Sequence, residues 1–450
     1  MNKPLLIQNA RVASASSEPE EADVLTEDGT IRYVGRSLDA PDDAVTLDAE
    51  GKLLVPALFD MHVHLREPGR EDTETIKTGA EAAINGGVTG LLAMPNTDPA
   101  VDTGSMVEFI QDIARDDARI PVIPAGSITK GRKGEELAEI GDMKAKGAPL
   151  ITDDGDPVAN ARVMRRAMEY AKNFDLIVAD HCEIPELSDD GSVTEGEASY
   201  RLGLAGQPSI SEEICIDRDL RLSRLTGVHY HVQHLSTKEG LRSIRRFKQE
   251  GESVSCEVTP HHLLFSYEDL DGHDTSLKMN PPLRGEEDRE ALIDGLKDGT
   301  IDAIATDHAP HAGFEKRKDF NSAPFGITGL ETALISLYDR LISPGKLGWD
   351  TIVRAFSEAP RDLLDRPSVL IEEGNSAGFM LFDPEGVTDV NLDFLRSKSS
   401  NTPFIDESLN GRIELVVHGE DVLLDRDDQL SEVENTGRRQ VPKNQQRTVQ

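Results

Sequence analysis

The chain has 450 residues and is strongly acidic, with 83 aspartates and glutamates against 48 lysines and arginines and a formal net charge of −35. A charge excess of this sign repels nucleic acid and anionic membrane surfaces, so we expect neither as a partner. No apolar run approaches the roughly 18 residues that a bilayer span requires, and the N-terminal apolar stretch is too short for a secretory signal. The three scattered cysteines lack the spacing of a disulfide framework or a zinc finger. We therefore expect a cytoplasmic protein.

The charge also predicts a response to salt. Repulsion within an acidic surface destabilises a compact protein, and salt screens it over about 10 Å at 0.1 M. We expect a halophilic protein, whose carboxylate-rich surface stays hydrated in a salt-loaded cytoplasm. The alternative is an ordinary acidic enzyme.

The two ends of the chain have similar patterns. Residues 1–55 contain short alternating runs punctuated by Gly and Asp, which is typical of antiparallel strands. Comparable runs return at 378–384 and 412–424. We predict one small β domain built from residues 1–52 and 370–427. Residues 428–450 are polar and are predicted to form a frayed tail.

Residues 53–369 alternate between apolar, strand-like runs and stretches of helical period. The predicted helices include Thr73–Asn85, Ala159–Asn173 and Lys238–Glu250. The predicted strands are Leu53–Phe59, Thr89–Met94, Ile120–Ala125, Pro149–Thr152, Leu176–Ala179, His229–Val232, Ser253–Val258 and Ile301–Ala305. Eight such β–α units are typical of a (β/α)8 TIM-type barrel, an α/β fold whose active site lies at the C-terminal ends of the strands.

Two histidines alternate at the end of the first predicted strand. His62 and His64 are two residues apart, so on a strand they point to the same face and could bind one metal ion. The alternative is that both are polar residues at the end of a strand, satisfied by local hydrogen bonds. This pair alone does not decide between a metal site and that structural role.

Side chains of the kind that bind metals recur where the other predicted strands end. Because these ends meet at one mouth of a barrel, we expect the side chains to lie close together. They are Asp153, Asp154, His181, His234, His261, His262, Asp307 and His308, with Asn96 after the second strand.

Four imidazoles and two carboxylates from among these residues would suit zinc. Such a set suffices for two ions if one carboxylate bridges them. Such a site supplies hydroxide near neutral pH, and a nearby carboxylate, most plausibly Asp307, can pass the proton to a leaving nitrogen. The chain has no nucleophile elbow and no standard glycine-rich phosphate loop. The residue types therefore predict metal-assisted hydrolysis of an amide or ester.

A set of motifs between about residue 50 and residue 405 resembles the long, bacterial type of dihydroorotase, a family of the amidohydrolase superfamily. The pair HxH is common to the superfamily, whereas REPG, KMNPPLR and ATDHAPH are far more specific. The motifs are DMHVHLREPG (60–69), MPNT (94–97), TDDG (152–155), HCE (181–183), HVQHLSTKE (231–239), EVTPHHLL (257–264), KMNPPLR (278–284), ATDHAPH (305–311), APFGITGLET (323–332) and NTPFI (401–405).

The resemblance implies a role for each matching position. His62 and His64 would bind a first metal ion, Asp154 would bridge two ions, and His181 and His234 would bind the second. Asp307 would contact metal and act as the catalytic acid and base. The implied substrate-binding residues are His64, Arg66, Asn96, Asn280, His311, Phe325 and Gly326, of which Arg66, Asn96 and His311 would hold a carboxylate. A guanidinium fits that role because it pairs with carboxylate through two parallel hydrogen bonds.

The implied reaction is the reversible cyclisation of N-carbamoyl-L-aspartate to L-dihydroorotate in pyrimidine (UMP) biosynthesis, through a zinc-bound hydroxide. One or two Zn²⁺ ions per subunit are implied, with two favoured. Our further expectations are a small anionic substrate, a homodimer and association with aspartate carbamoyltransferase. The segment 312–323 is a candidate mobile lid.

Some alternatives stay open at this point. Relatives such as hydantoinases bridge their metals with a carboxylated lysine near the fourth strand, but here Lys144 and Lys146 precede that strand. Asp153 competes with Asp154 for the bridging role, and the spacing to His181 favours Asp154. A cyclic amidase acting on hydantoin or allantoin is one alternative function. A non-catalytic scaffold for another pyrimidine enzyme is a second.

Several histidines have a structural interpretation as well. His229 and His231 precede the end of their strand and are more typical of packing. The same applies, less strongly, to His261 and His262, while His308 fits either support of the site or plain packing.

Overall fold

The computed structural model describes residues 3–430. Eighteen strands lie in this part of the chain. They are β1 (Leu5–Val12), β2 (Glu20–Glu27), β3 (Thr30–Gly35), β4 (Val45–Asp48), β5 (Leu53–Pro56), β6 (Leu58–Val63), β7 (Val88–Ala93), β8 (Val122–Pro124), β9 (Leu150–Ile151), β10 (Ile177–Asp180), β11 (Val193–Thr194), β12 (Gly206–Gln207), β13 (Tyr230–Val232), β14 (Val254–Val258), β15 (Ala303–Ile304), β16 (Gly378–Asp389), β17 (Ser408–His418) and β18 (Asp421–Asp425).

Helices separate most of the central strands. The α-helices of the described residues are α1 (Ile76–Asn85), α2 (Gly104–Asp117), α3 (Ile140–Ala145), α4 (Ala161–Ala171), α5 (Pro185–Ser188), α6 (Glu197–Leu202), α7 (Ile210–Thr226), α8 (Lys238–Gln249), α9 (Pro260–Leu264), α10 (Glu286–Lys297), α11 (Gly313–Lys316), α12 (Ala333–Leu337), α13 (Trp349–Ile352) and α14 (Ala359–Leu363). Short 3₁₀ turns occupy Lys130–Arg132, Lys172–Phe174, Tyr267–Asp269 and Thr275–Leu277, and π-helical turns occupy Tyr338–Ile342 and Val353–Glu358.

Helix α8 illustrates why the predicted helices form. Thr237 caps its N-terminus by accepting a hydrogen bond from the Gly240 amide at 3.2 Å, which satisfies one otherwise unpaired donor. Leu241, Ile244 and Phe247 recur at helical spacing and are buried against the core. The predicted helices Thr73–Asn85 and Ala159–Asn173 are confirmed as α1 and α4, with shorter ends set by the caps Thr75 and Asn160.

Strands from both ends of the chain share one sheet. Its order is β18-β17-β16-β5-β1-β2-β3, with β4 paired to β1 on the side. Most pairs are antiparallel, while β1 runs parallel to both β4 and β5. A separate core of aliphatic and aromatic side chains, including Leu5, Phe379 and Leu415, packs on this sheet. The predicted domain boundaries stay a prediction.

The central strands are parallel, and the fold is of the α/β class. One sheet has the order β6-β7-β8 and another the order β9-β10-β13-β14-β15. Isolated parallel bridges join them at both ends, between Gly126 and Ile151 and between Val63 and His308. The carboxyl ends of these strands therefore face the same side of the molecule.

The first predicted strand, Leu53–Phe59, was wrong as a single element. The structure divides it at Ala57 into β5, which pairs antiparallel with β16, and β6, which pairs parallel with β7. The Ala57 amide donates to Gly378 of the terminal sheet, and the next amide, of Leu58, donates to Gly87. An unbroken apolar run carries no mark of a change of sheet, because both segments are buried. The other seven predicted strands each overlap one observed strand.

The predicted tail begins inside the described part of the chain. Leu430 is 1% exposed and belongs to the core of the terminal sheet. Its amide donates to Asp425 Oδ2 at 3.0 Å, so Leu430 is held against the sheet, whereas Asp427 and Asp428 are exposed. The rest of the predicted tail, 431–450, lies outside the described residues. None of the helices between residues 3 and 430 combines the length and apolar content of a bilayer span.

Candidate metal centre and substrate pocket

Side chains that follow the parallel strands converge on one cavity of about 240 Å³. His62 lies within β6, His64 follows that strand, and the other predicted ligands follow β9, β10, β13 and β15. All seven predicted substrate-binding residues line this cavity, together with most of the predicted metal ligands. The lining consists of His64, Arg66, Asn96, Asp154, Gly155, His181, His234, Asn280, Asp307, Ala309, His311, Phe325 and Gly326.

Five of the six predicted ligands form two overlapping groups at the base of the cavity, and the sixth, His181, contacts them through His234. Ligand atoms of His62, His64 and Asp307 lie within 4.8 Å of one another, and so do those of His62, Asp154 and His234. Asp154 lies between the groups, with Oδ1 3.4 Å from Nε2 of both His62 and His234, and Oδ2 3.5 Å from His64 Nε2. These distances are too long for strong hydrogen bonds and are compatible with a cation shared among the atoms.

Several atoms of the cluster have no hydrogen-bond partner within the described residues. His62 Nε2 and Asp154 Oδ1 are both buried and unpaired, although they face each other. The ring nitrogens His181 Nδ1 and His234 Nε2 lie 2.9 Å apart, so two lone pairs can point into the same space. Buried polar atoms are normally paired, and a bound cation would satisfy these. The imidazole and carboxylate set therefore fits a metal ion.

Charge interactions hold the carboxylates ionised. Burial alone would raise the pKa of Asp154, but the charge of His62 and hydrogen bonding to His234 and His62 lower it well below its usual range. The same balance, with a hydrogen bond from His64 as the main opposing cause, lowers the pKa of Asp307. Asp307 Oδ1 lies 2.9 Å from His64 Nε2. Both carboxylates are therefore available as ligands and proton acceptors at neutral pH.

Three residues of the site have left-handed backbone conformations. The φ angles are +60° at Arg66, +31° at His234 and +49° at Asp307. Such angles are uncommon for residues with a Cβ atom and cost free energy, and they are concentrated at functional sites. We infer that the turns after β6, β13 and β15 accept this strain because it aims the three side chains into the cavity.

Two carboxylates that sequence reasoning missed form hydrogen bonds with predicted metal ligands. Glu257, on β14, accepts a hydrogen bond from His62 Nδ1 at 2.5 Å and a second from His231 Nε2 at 3.2 Å. Glu183 Oε2 lies 3.1 Å from His181 Nε2. Hydrogen bonding of the far ring nitrogen orients the ring, and a neutral His62 would offer the lone pair of Nε2 to a cation held beside Asp154. The charges of His62 and His231 outweigh burial and lower the pKa of Glu257 to about 2.

A sequence signal for Glu257 exists. Within the apolar strand β14, Ser255 and Glu257 alternate and so point to the same face. Ser255 Oγ lies 2.8 Å from Nδ1 of His231. Two polar residues on the inner face of a buried strand indicate a polar network.

The structure separates Asp154 from Asp153. Asp153 Oδ1 accepts hydrogen bonds from the Ile128 and Thr129 amides at 2.8 and 3.0 Å, and Oδ2 accepts one from the Thr129 hydroxyl. Asp153 thus has its acceptor atoms occupied away from the cluster. Lys146 forms an ion pair with Glu108 at 2.7 Å, well outside the site. These contacts favour Asp154 as the bridging carboxylate.

The remaining histidines have mixed outcomes. His262 lies between Thr259 Oγ1 at 2.8 Å and the Pro281 carbonyl at 3.0 Å, a structural arrangement. His308 is held by Glu74 at 3.2 Å and by the Gly329 amide. His261 is buried with Nε2 unpaired among the described residues, and burial lowers its pKa to about 4.

The substrate side of the cavity is built from backbone and polar groups. Asn96 Oδ1 lies 2.8 Å from His64 Nδ1, and Arg66 Nε donates to the Pro310 carbonyl at 3.3 Å. His311 Nε2 donates to the Phe325 carbonyl at 2.6 Å. Asn280 Nδ2 donates to Glu183 at 2.9 Å. The cavity therefore combines a candidate cation site with a guanidinium group and fixed hydrogen-bonding groups.

The chain is similar to known proteins over most of its length. A family model described as dihydro-orotase-like matches residues 51–240. The chain is 44% identical over 411 residues to a dihydroorotase of Solibacter usitatus, covering 91% of this chain and 95% of that protein. It is 45% identical over 408 residues to a dihydroorotase of Pelotomaculum thermopropionicum, covering 90% and 95%.

Solved structures share the fold. An L-hydantoinase (dihydropyrimidinase) from Arthrobacter aurescens is similar with a TM-score of 0.85 at 24% identity, covering 94% of this chain and 96% of that one. A dihydropyrimidinase from Brevibacillus agri has a TM-score of 0.82 at 22% identity, with 94% and 95% covered. At these identities the likeness concerns the fold alone.

Proposed function

The chain belongs to the dihydroorotase family, and on that premise we propose that it interconverts N-carbamoyl-L-aspartate and L-dihydroorotate in pyrimidine biosynthesis. The observation that carries the proposal is one cavity in which Arg66 lies with the cluster of His64, Asp154 and Asp307. Dihydroorotate has a cyclic amide, which a hydrolytic centre can cleave, and a free carboxylate, which a guanidinium group can bind. A planar fork of N–H groups binds that carboxylate in two parallel hydrogen bonds.

We propose that the residues of the two groups, together with His181, hold zinc, with two ions favoured. His62 and His64 would bind one ion, His181 and His234 the other, and Asp154 would bridge them. The two oxygens of Asp154 support this, because Oδ1 faces His62 and His234 while Oδ2 faces His64. When bound, the metal lowers the pKa of a water molecule towards about 7 and polarises a carbonyl group.

Asp307 is the proposed acid and base. In hydrolysis it takes a proton from the attacking water and delivers it to the departing ring nitrogen. In cyclisation it starts protonated and the sequence reverses. Because ring closure consumes a proton, lower pH favours synthesis and higher pH favours hydrolysis. His64 Nε2 lies 2.9 Å from Oδ1, so a metal ion held by His64 would lie beside this carboxylate.

We further infer that the eight parallel strands close into a (β/α)8 barrel. The two isolated bridges support this, because Gly126–Ile151 and Val63–His308 link the three-stranded sheet to both edges of the five-stranded sheet. Closure would explain why residues from β6 and β15, far apart in sequence, meet at one mouth.

The test is a hydrolysis assay on dihydroorotate with metal analysis of the same samples. Asp307→Asn should lower kcat by at least about a thousandfold, because the amide can neither accept nor deliver the proton. The exposed Asp271→Asn is the matched control and should retain wild-type turnover. Metal-loaded wild-type protein without turnover of dihydroorotate would contradict the proposal.

An assay with hydantoin as substrate distinguishes a dihydroorotase from the alternative, a cyclic amidase that acts on hydantoin. The cavity's Arg66 favours an anionic substrate, so we expect turnover of dihydroorotate and none of unsubstituted hydantoin. Wild-type protein that contains no metal and turns over neither substrate would instead favour the non-catalytic scaffold for another pyrimidine enzyme. Cytoplasmic location, homodimer formation and association with aspartate carbamoyltransferase stay predictions.

A further inference from the structure

Two lysines, Lys278 and Lys316, are buried beside the substrate pocket. Lys278 is 2% exposed and Lys316 is 8% exposed. In the part of the chain that the structure describes, both ammonium groups contact main-chain carbonyl oxygens rather than carboxylates. Burying an unpaired charge is costly, so the hydrogen bonds that replace the ion pair must be numerous.

Each ammonium group binds three main-chain carbonyl oxygens. Lys278 Nζ donates to Phe320 at 2.7 Å, Asn321 at 2.9 Å and Ala323 at 2.7 Å. Lys316 Nζ donates to Pro324 and Gly326, both at 3.0 Å, and to the carbonyl of Lys278 at 3.5 Å. An ammonium group has three N–H donors, so both groups are saturated.

Five of these six carbonyls belong to one irregular segment, residues 320–326, which we call the carbonyl loop. The loop forms no strand or helix, so its carbonyls have no regular ladder to pair with. It carries Phe325 and Gly326, which line the cavity. The loop's geometry at the pocket therefore depends on the two ammonium groups.

The lysines also fix the end of the loop that faces the pocket. Lys278 Nζ lies 4.3 Å from the centroid of the Phe325 ring, a distance suited to a cation–π contact. The Lys278 carbonyl accepts a hydrogen bond from the Gly326 amide at 2.9 Å. Lys278 precedes Asn280 by two residues, so the loop and the segment of Asn280 are held together.

We propose that Lys278 and Lys316 are positioning residues, which hold the carbonyl loop in the shape that receives the ring of the substrate. The proposal rests on the proposed function and adds a specificity element to it. Burial, with the nearby charge of Lys278, lowers the pKa of Lys316 to about 7. The three carbonyl dipoles around Nζ oppose that shift, because they stabilise the ammonium form.

The proposal also bears on the segment 312–323, for which the sequence suggested a mobile lid. The Thr275 hydroxyl donates to the Lys316 carbonyl at 2.5 Å, and Arg70 forms an ion pair with Glu315 at 2.9 Å. With the ammonium contacts, these tie both halves of the segment to the rest of the protein. The contacts favour a held segment over a freely moving one.

The test replaces Lys316 by Met, which keeps the length of the side chain and removes the donors. The exposed Lys318→Met, two residues along the same segment, is the matched control. We expect Lys316→Met to raise KM for dihydroorotate about tenfold while kcat changes less than about threefold, because the loop acts on binding. Amide hydrogen exchange of residues 320–327 should accelerate at least about tenfold, as local opening becomes easier. Metal content and exchange at 231–235 should stay at wild-type values.

Unchanged KM and unchanged exchange in Lys316→Met would overturn the proposal. So would loss of metal or faster exchange throughout the chain, since that indicates a general structural role. Lys278→Met should reproduce the same local pattern. Failure of wild-type protein to hydrolyse dihydroorotate would overturn the proposed function alone, because hydrogen exchange reads the loop without substrate.

Discussion

At the scale of single residues, Glu257 supports a histidine of the candidate metal centre without being one of the predicted ligands. Its carboxylate is buried, and it joins His62 to His231 through hydrogen bonds of 2.5 and 3.2 Å. A carboxylate behind a metal-binding histidine fixes the tautomer and makes the ring a stronger ligand. The affinity of the cluster should therefore depend on it.

Glu257→Gln should weaken metal binding by about 10- to 100-fold, because a neutral amide no longer supports the imidazole. Competition with a chelator measures this directly on folded protein. The exposed Glu250→Gln serves as the control and should bind metal like the wild type. Equal affinities for Glu257→Gln and wild type would show that His62 needs no such support.

Glu331 has the opposite electrostatic environment. It is 3% exposed, and burial raises its pKa from 4.5 to about 7, opposed by hydrogen bonds from the Arg396 amide and the Asn85 side chain. Between pH 4.5 and 7 the unfolded chain has lost this proton while the folded protein retains it. The free energy of unfolding therefore falls as pH rises through this window, by roughly 3 kcal/mol in all, and is constant above it.

Replacing Glu331 by Gln removes the titrating group and should flatten that part of the pH profile. Urea unfolding of both proteins at pH 5, 6, 7 and 8 gives the difference in the free energy of unfolding. The exposed Glu268→Gln should leave the wild-type slope unchanged. A parallel pair of profiles for Glu331→Gln and wild type would refute the assignment.

The ligand types could be predicted from sequence, because each follows a buried strand and the ends of parallel strands converge. The groups that hold the ligands could not, because their partners are distant in the chain. Glu183, Gln207 and Asn280 meet only after folding, with Gln207 Nε2 donating to Glu183 at 2.9 Å. The roles that the family resemblance implies for the site residues stay predictions until the experiments above are done.

At the scale of elements, strand identity was easier to predict than strand partnership. Seven apolar runs each overlap one parallel strand, because a doubly buried strand needs a continuous apolar sequence. The run Leu53–Phe59 satisfies the same rule twice, once in each sheet, so its sequence predicts strand without predicting the change of partner at Ala57.

Irregular segments are the elements that sequence patterns describe least. The carbonyl loop has no periodicity, and its shape depends on two ammonium groups contributed by residues before it. Asn401 adds to this from far along the chain, donating to the carbonyls of Ala309 and Gly326 at 3.0 and 3.2 Å. Such long-range pairing of main-chain carbonyls has no local signature.

At the scale of the whole molecule, the net charge of −35 dominates. Repulsion among surface carboxylates extends about 10 Å at 0.1 M salt and about 3 Å at 1 M. We therefore expect the melting temperature to rise by at least about 10 °C between 0.1 and 2 M KCl, as screening relieves the repulsion.

Differential scanning calorimetry across a KCl series measures this rise. Sucrose at matched osmolality is the control, since it strengthens burial without screening charge and should give a smaller increase. A melting temperature that is the same at both salt concentrations would make the halophilic prediction wrong.

The junction at Ala57 has a consequence for how the protein can be divided. Only Ala57 separates β5 from β6. The terminal sheet, through β5, therefore fixes the start of the strand that leads to His62 and His64. An excised central unit that starts at Leu58 would begin four residues before His62. Strand β6, which carries His62, would then have lost its covalent link to the terminal sheet. We expect that a variant with exchanged outer strands would need to keep the pairing of β5 with β16. Among the described residues, β1–β5 and β16–β18 contribute none of the side chains that line the cavity, yet the covalent link at Ala57 ties the position of His62 to them.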